Sequence, residues 1–80
     1  SGVSTTYTQY ASAVERFERL TAREREILVR LSHGETNVEI ATALHLAPGT
    51  VKVHVSAILR TTGARNRVEA ALIAIRARQV

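Results

Sequence analysis

Apolar residues recur every three or four positions along most of this chain, which is the spacing of helices with one buried face. The spacing predicts a short helix over residues 10–20, a second from Thr21 to Gly34, a third from Thr36 to about residue 45, and a last one from Asn66 through residue 75. Residues 1–8 are small and polar, so we expect a frayed end there. The residues expected to face inward on the second and third helices are Ile27, Leu28, Leu31, Ile40, Ala41 and Leu44.

The segment between the third and the last of these helices is TVKVHVSAILR, over residues 50–60. Its apolar residues fit both the period of a strand and the period of a helix. Val51, Val53 and Val55 alternate with polar residues as in a strand, whereas Val51, Val55 and Ile58 share one face of a helix. We predict a helix over about residues 48–62, because Pro48 suits a first helical position and Gly63 a helix end. A strand of that length would have no second strand to pair with.

Helix-end signals support these boundaries. Thr21 followed by Glu24 has the spacing of a capping box, in which each side chain accepts a hydrogen bond from the other's backbone amide. Gly34 is expected to end that helix in a left-handed conformation. Glu24 is therefore assigned to the cap, and Glu26 is expected to pair with an arginine such as Arg30. Neither carboxylate has a neighbouring histidine, so an enzyme is disfavoured.

The predicted architecture is all-α: a compact four-helix bundle containing a helix-turn-helix, with residues 48–62 as its second helix. Residues 1–19 are predicted to be a partly helical tail or linker, and residues 20–80 the folded domain. The first helix either covers the core or joins another domain. No membrane span or signal peptide is visible, so we expect a cytoplasmic protein without a membrane partner. The chain has no cysteine and only scattered histidines, so no metal site and no cofactor is predicted.

Positive charge is concentrated in the second half of the chain. Residues 47–80 contain six cations and one anion, and the whole chain has a formal net charge of +4. A hundred-degree step per residue places Lys52, Val53, Ser56, Ala57 and Arg60 on the outer face of the 48–62 helix. Small side chains on that face would let the helix enter a major groove ~12 Å wide. Lys52, Val53 and Ser56 are candidate base contacts, and Arg60 is a candidate phosphate contact.

Several motifs at matching spacing resemble one family. The opening LTAREREIL over residues 20–28 is similar to that of the LuxR-type (NarL/FixJ) helix-turn-helix domain. The segments NVEIA (37–41), TVKVHV (50–55) and RNRVEAA (65–71) follow in register. The resemblance covers Leu20 to about Ile75. It departs at Val38, where the family often has a basic residue, and at Ala47, where a serine cap is common.

The resemblance implies a four-helix domain that binds double-stranded DNA through its third helix. It implies the C-terminal effector domain of a bacterial transcriptional regulator, most often a two-component response regulator, with an N-terminal receiver or sensor domain outside this sequence. The expected contacts to the DNA backbone are Thr36, Asn37, Thr50, His54, Arg60, Arg65 and Arg67.

Family resemblance also implies a homodimer formed through the last helix. We assign Val68, Ala71, Leu72 and Ile75 to its inner face. The opposite face, expected to meet the partner copy, consists of Ala70, Ile73, Ala74 and Ala77. On this assignment, Ile73→Glu should leave the fold intact and abolish cooperative binding. An alanine-rich surface without a partner is the simpler alternative.

Two other functions fit the same basic face. The chain could be a small helical adaptor that binds a protein such as RNA polymerase, or a sigma-like module that acts only within the polymerase. DNA binding should weaken steeply with salt and depend on base sequence, whereas an adaptor should show neither property.

Overall fold

The chain forms five helices in a computed structural model that describes residues 2–78, with side chains described for residues 10–78. The helices are α1 (Gly2–Glu18), α2 (Ala22–Ser32), α3 (Asn37–Leu44), α4 (Pro48–Thr62) and α5 (Arg67–Ala77). Residues 2–78 contain no strand, so the all-α prediction is confirmed. The segment over residues 50–60 is helical, as the helical spacing of Val51, Val55 and Ile58 predicted. None of the described helices has the length and apolar character needed to cross a membrane.

The first helix is longer than its apolar pattern suggested. It begins at Gly2, so the expectation of a frayed end was wrong for residues 2–8, and Ser1 lies outside the described residues. A helix that is already formed gains one hydrogen bond for each residue added, so it can extend into a segment without an apolar stripe of its own. Its buried side chain is Ala13, with Tyr10, Val14 and Phe17 half-buried around it.

Helix α5 lies at the centre of the packing. Both α1 and α2 pack against it, α2 also packs against α4, and α3 packs mainly against α4. The largest side chains at the middle of the core are fully buried: Ile27, Leu28, Ile40, Val51 and Ile58. All five are aliphatic, and truncating Leu28 or any of the three isoleucines to alanine should cost about 2–5 kcal/mol. This core holds α3 and α4 in a fixed relative orientation.

Two helices begin with capping boxes. The Thr21 hydroxyl accepts from the amide of Glu24 at 3.1 Å, and the Glu24 carboxylate accepts from the amide of Thr21 at 2.9 Å, as predicted. Thr36 and Glu39 form the same pair at the start of α3, at 3.1 and 2.8 Å. The predicted third helix starts at Thr36, and the contribution of the Glu39 carboxylate to its cap was not predicted. Satisfying both amides fixes where α3 starts.

Left-handed residues end α2 and α4 as predicted. Gly34 has φ of 84° and Gly63 has φ of 74°, a region that glycine enters without steric cost. One expected ion pair is wrong: Glu26 accepts from Arg23 at 3.2 Å instead of Arg30. Arg30 pairs with Glu35, at 3.1 Å, because the turn after Gly34 brings that carboxylate back beside α2.

Candidate nucleic-acid interface

Helices α3 and α4 form a helix-turn-helix whose turn spans residues 45–47. His45 has φ of 58° and ψ of 44°, a left-handed conformation that is uncommon for a residue other than glycine. The amide of Leu46 donates to the carbonyl oxygen of Ala41 at 2.8 Å and closes the end of α3. Ala47 then caps α4 without a side-chain hydrogen bond, and Pro48 is the first helical residue, as predicted. The turn is therefore determined by backbone geometry.

Helix α4 has one buried and one exposed face. The buried residues are Val51, Val55, Ile58 and Thr62. The residues predicted to face bases, Lys52, Val53 and Ser56, are all exposed, and so is Arg60. Val53 is 67% exposed although it is apolar, so its side chain does not contribute to the core. The outer face therefore combines a lysine, a valine and a serine within about one turn, followed by an arginine.

Thr50 and His54, both expected near a DNA backbone, are four residues apart and lie along the same edge of this face. Thr50 is exposed in the first turn of α4, and His54 is half-buried at the border of the inner face. Ala57 is half-buried beside Ser56. Since these side chains are small or lie close to the helix, the exposed side of α4 has a low profile suited to a groove.

The exposed face of α4 is purely cationic. The helix contains Lys52 and Arg60 and no aspartate or glutamate. Within residues 10–78 neither cation forms an ion pair, and the carboxylates that do pair with arginine all lie outside α4. A groove lined by DNA phosphates would meet no repulsive charge on this helix.

The start of α3 holds two of the other predicted backbone contacts. Thr36 is exposed and its oxygen already accepts from the amide of Glu39. Hydrogen bonds from the amide and the hydroxyl of Thr36 lower the pKa of the Glu39 carboxyl below its usual value of 4.5. Asn37, the first residue of α3, is half-buried. The predicted contacts Thr36 and Asn37 thus lie side by side at one helix end.

Arg67 contacts this helix end from α5. Its guanidinium donates to the side-chain oxygen of Asn37 at 2.5 Å and to the carbonyl oxygen of Glu35 at 2.8 Å. Two of its nitrogens are therefore engaged by the protein itself. The structure brings two predicted phosphate contacts, Arg67 and Asn37, into contact with each other.

Arg65 is exposed and forms an ion pair with Glu69 at 2.7 Å. The Glu69 carboxylate also accepts from the backbone amide of Arg65. The hydrogen bond between the two side chains, together with the opposite charge of Glu69, raises the pKa of Arg65. The side-chain and backbone hydrogen bonds that Arg65 donates lower the pKa of Glu69. Part of the charge of Arg65 is thus neutralised, unlike that of Arg60.

The assignment of faces on α5 was wrong. Ala70, Ile73 and Ala74, predicted to face a second copy, are buried, and Ala77 is half-buried. Val68 and Leu72, predicted to face inward, are 76% and 39% exposed, with Ala71 and Ile75 half-buried. The reason is that α1 and α2 both pack against the Ala70–Ala74 side. The partner-facing set named from the sequence therefore belongs to the domain's own core.

Two features of the interface were not found from the sequence. The Thr36–Glu39 capping box has a visible signal, a threonine followed three residues later by a glutamate. The Arg67–Asn37 contact has none, because it joins residues thirty positions apart. Residues 10–78 contain no group of three or more histidine, cysteine or acidic residues that could hold a metal ion.

Comparison with known proteins agrees with this geometry. Residues 18–74 match the family described as bacterial regulatory proteins, luxR family. Among similar proteins, the glycerol metabolism activator of Pseudomonas putida is 47% identical over 62 residues, 78% of this chain and 28% of that protein. The response regulator protein VraR of Staphylococcus aureus is 45% identical over 60 residues, 75% of this chain and 29% of its own length. The uncharacterized transcriptional regulatory protein YhcZ of Bacillus subtilis is 38% identical over 68 residues, 85% of this chain and 32% of that protein.

A helical bundle with a cationic, low-profile outer helix after a tight turn defines the class of helix-turn-helix DNA-binding domains. The chain belongs to the luxR family of bacterial regulatory proteins, and the predicted resemblance is confirmed. Its function class is DNA binding in the regulation of transcription. The chain spans less than a third of the length of the relatives described above.

Proposed function

We propose that this domain binds double-stranded DNA sequence-specifically, with α4 in the major groove. The observation that supports this most directly is the exposed set Lys52, Val53 and Ser56 on one face of α4. The Lys52 ammonium can donate to guanine O6 and N7, and the Val53 methyl groups can contact a thymine methyl. Ser56 can donate to a base or accept from one. These three side chains carry the sequence preference.

The contacts that position the domain on the duplex come from the rim of this face. Thr50, His54 and Arg60 lie along α4, and Thr36 and Asn37 lie at the start of α3. Arg65 contributes charge in spite of its ion pair with Glu69, because its side chain is 86% exposed. Phosphate contacts of this kind supply affinity and register but little sequence preference.

The whole protein is proposed to be a response regulator of a two-component system, with this domain as its C-terminal effector. Support comes from the similarity to the response regulator protein VraR, of which this chain matches 29%. A receiver or sensor domain would occupy the remaining length, N-terminal to α1. Phosphorylation there would control how readily the effector domain binds DNA as a dimer.

Self-association is proposed through the outer face of α5. Val68 and Leu72 are one helical turn apart and both are exposed, so they form a small apolar patch on the surface of α5. Ala71 and Ile75 flank them and are half-buried. A symmetric pair of such helices would place two α4 helices for binding to two half-sites on one side of a duplex.

The test is a selection of bound fragments from a genomic library, followed by affinity measurements on a recovered duplex and on a random one at several salt concentrations. The logarithm of the affinity should fall linearly with that of salt, with a slope of about 0.9 per phosphate contact. Lys52→Ala should cost about 1–3 kcal/mol on the recovered duplex and much less on the random one.

Arg19→Ala is the matched control, because it also removes one positive charge but lies between α1 and α2, where its side chain is 58% exposed and pairs with Glu15. It should reduce both affinities slightly and equally. Failure to enrich any fragment, or binding that ignores salt and sequence, would instead favour an adaptor that docks on RNA polymerase.

A further inference from the structure

The contact between Arg67 and Asn37 determines which atoms of the asparagine are available. Arginine has donors and no acceptor, so the Asn37 atom that it contacts at 2.5 Å must be the amide oxygen. The amide nitrogen of Asn37, with its two N–H groups, is then directed away from Arg67. No residue within 10–78 accepts a hydrogen bond from that nitrogen. Phosphate oxygens only accept, so the N–H groups of the half-buried Asn37 side chain are of the right chemical type for them.

A second contact keeps Arg67 in place. Its other terminal nitrogen donates to the carbonyl oxygen of Glu35, at 2.8 Å, and the Glu35 carboxylate pairs with Arg30 at 3.1 Å. The planar guanidinium therefore bridges the α2–α3 turn and the first residue of α3 in one geometry. Arg67 is itself half-buried at the start of α5. It lies behind Asn37 and holds the amide in one orientation.

We propose that Arg67 is a positioning residue for DNA binding and does not contact phosphate itself. It fixes the Asn37 amide so that the side-chain nitrogen of Asn37 donates to a phosphate of the bound duplex. This inference rests on the proposed DNA-binding function. It reassigns Arg67, whose charge suggested direct contact, and it makes one residue of α5 a support for the phosphate contact at the start of α3.

A double-mutant cycle on a fluorescent random-sequence duplex at fixed low salt tests the proposal. Asn37→Ala and Arg67→Ala should each weaken binding about tenfold, the effect of losing one hydrogen bond to a charged group. Because the two residues act through one contact, the double variant should bind about as weakly as either single variant. Independent losses that multiply to about a hundredfold would overturn the proposal.

Asn37→Asp separates positioning from folding. Aspartate keeps an oxygen for Arg67 and has almost the same shape, but it has no N–H donor and adds negative charge facing the duplex. This variant should be at least as stable as the original in thermal unfolding, and it should bind the same duplex more than about tenfold more weakly. Binding as tight as that of the original domain would refute the role assigned to Asn37.

Salt dependence distinguishes indirect from direct action. Arg67→Ala should leave the slope of log affinity against log salt nearly unchanged, whereas Arg60→Ala should reduce its magnitude by about 0.9. An equal reduction for both variants would assign Arg67 to direct phosphate contact and overturn the inference. If the unaltered domain binds no duplex at any salt concentration, the proposed function itself fails. If the unaltered domain binds the duplex but the losses in affinity of the Asn37 and Arg67 variants multiply, only the positioning role of Arg67 is refuted.

Discussion

The guanidinium of Arg25 donates to the carbonyl oxygens of Glu18 and Phe17, at 2.7 and 3.3 Å, and so joins α2 to the end of α1. The last carbonyls of a helix have no partner within it, and a cation near them also suits the helix dipole. Arg25 belongs to the first turns of α2, so one side chain serves two helices. This contact helps to explain why the first helix is part of the folded domain.

Arg25→Met should lower the free energy of unfolding by about 1–2 kcal/mol, because it removes two hydrogen bonds to half-satisfied carbonyls and keeps most of the apolar stem. Arg23→Met is the control: Arg23 lies on the same helix, and its ion pair with Glu26 is exposed, so its loss should cost less than about 0.5 kcal/mol. Chemical denaturation monitored by circular dichroism gives both values. Equal costs for the two variants would show that Arg25 does not hold α1.

Val38→Lys should strengthen DNA binding. Val38 is 61% exposed and adjoins Asn37, so lysine there displaces nothing in the core and adds a cation beside the proposed phosphate contacts. The slope of log affinity against log salt should become steeper by about 0.9. The cation would lie near a helix N-terminus, at a stability cost of about 0.3–1 kcal/mol. Ala11→Lys on α1 is the control, and a similar gain from it would mean that overall charge suffices.

Leu72→Glu should prevent self-association and leave the fold intact. Leu72 is exposed on α5, so the charge stays in solvent and should cost about 1 kcal/mol or less in stability. Ile73→Glu, which the sequence suggested as the tolerated change, should instead destabilise the domain by about 3 kcal/mol or more, because Ile73 is 7% exposed. Sedimentation and cooperative binding to a two-site duplex measure the effect. Cooperativity that survives Leu72→Glu would exclude this face of α5.

Acid should destabilise the domain through Glu39 and Glu69. Their pKa values are lowered in the folded protein by hydrogen bonds from Thr36 and Arg65 respectively, so the folded state binds fewer protons than the unfolded state. Their contribution to stability is present above pH 4.5 and is lost as pH falls through the lowered values. Glu39→Gln should flatten the pH dependence of unfolding below pH 4.5.

The sequence predicted α4 well because its polar and apolar residues separate cleanly on a helix. Val53 is the residue that distinguishes the two conformations, because on a strand it would share a face with Val51 and Val55. On a helix it faces outward beside Lys52, and the structure shows it exposed there. The same periodicity, combined with helix-end residues, located the capped start of α2 and the ends at Gly34 and Gly63.

The faces of α5 could not be predicted in this way. Eight of its eleven residues are apolar, so only Arg67, Glu69 and Arg76 could mark the solvent side in the sequence. Its orientation is determined by α1 and α2, which cover the Ala70–Ala74 side. The link from Arg67 to Asn37 is likewise a product of tertiary packing. Local patterns specified the elements, and long-range contacts determined which surfaces remained exposed.

The absence of carboxylates from α4 has a consequence for selectivity. RNA, heparin and acidic proteins are polyanions too, and this helix has no negative charge with which to repel them. Discrimination against such competitors must therefore come from the shape of the ligand. The ligand needs a groove that can accept the valine, serine and alanine side chains that lie between the two cations of α4. An acidic residue introduced at Ala57 would make charge a criterion as well, at the expense of affinity for every nucleic acid.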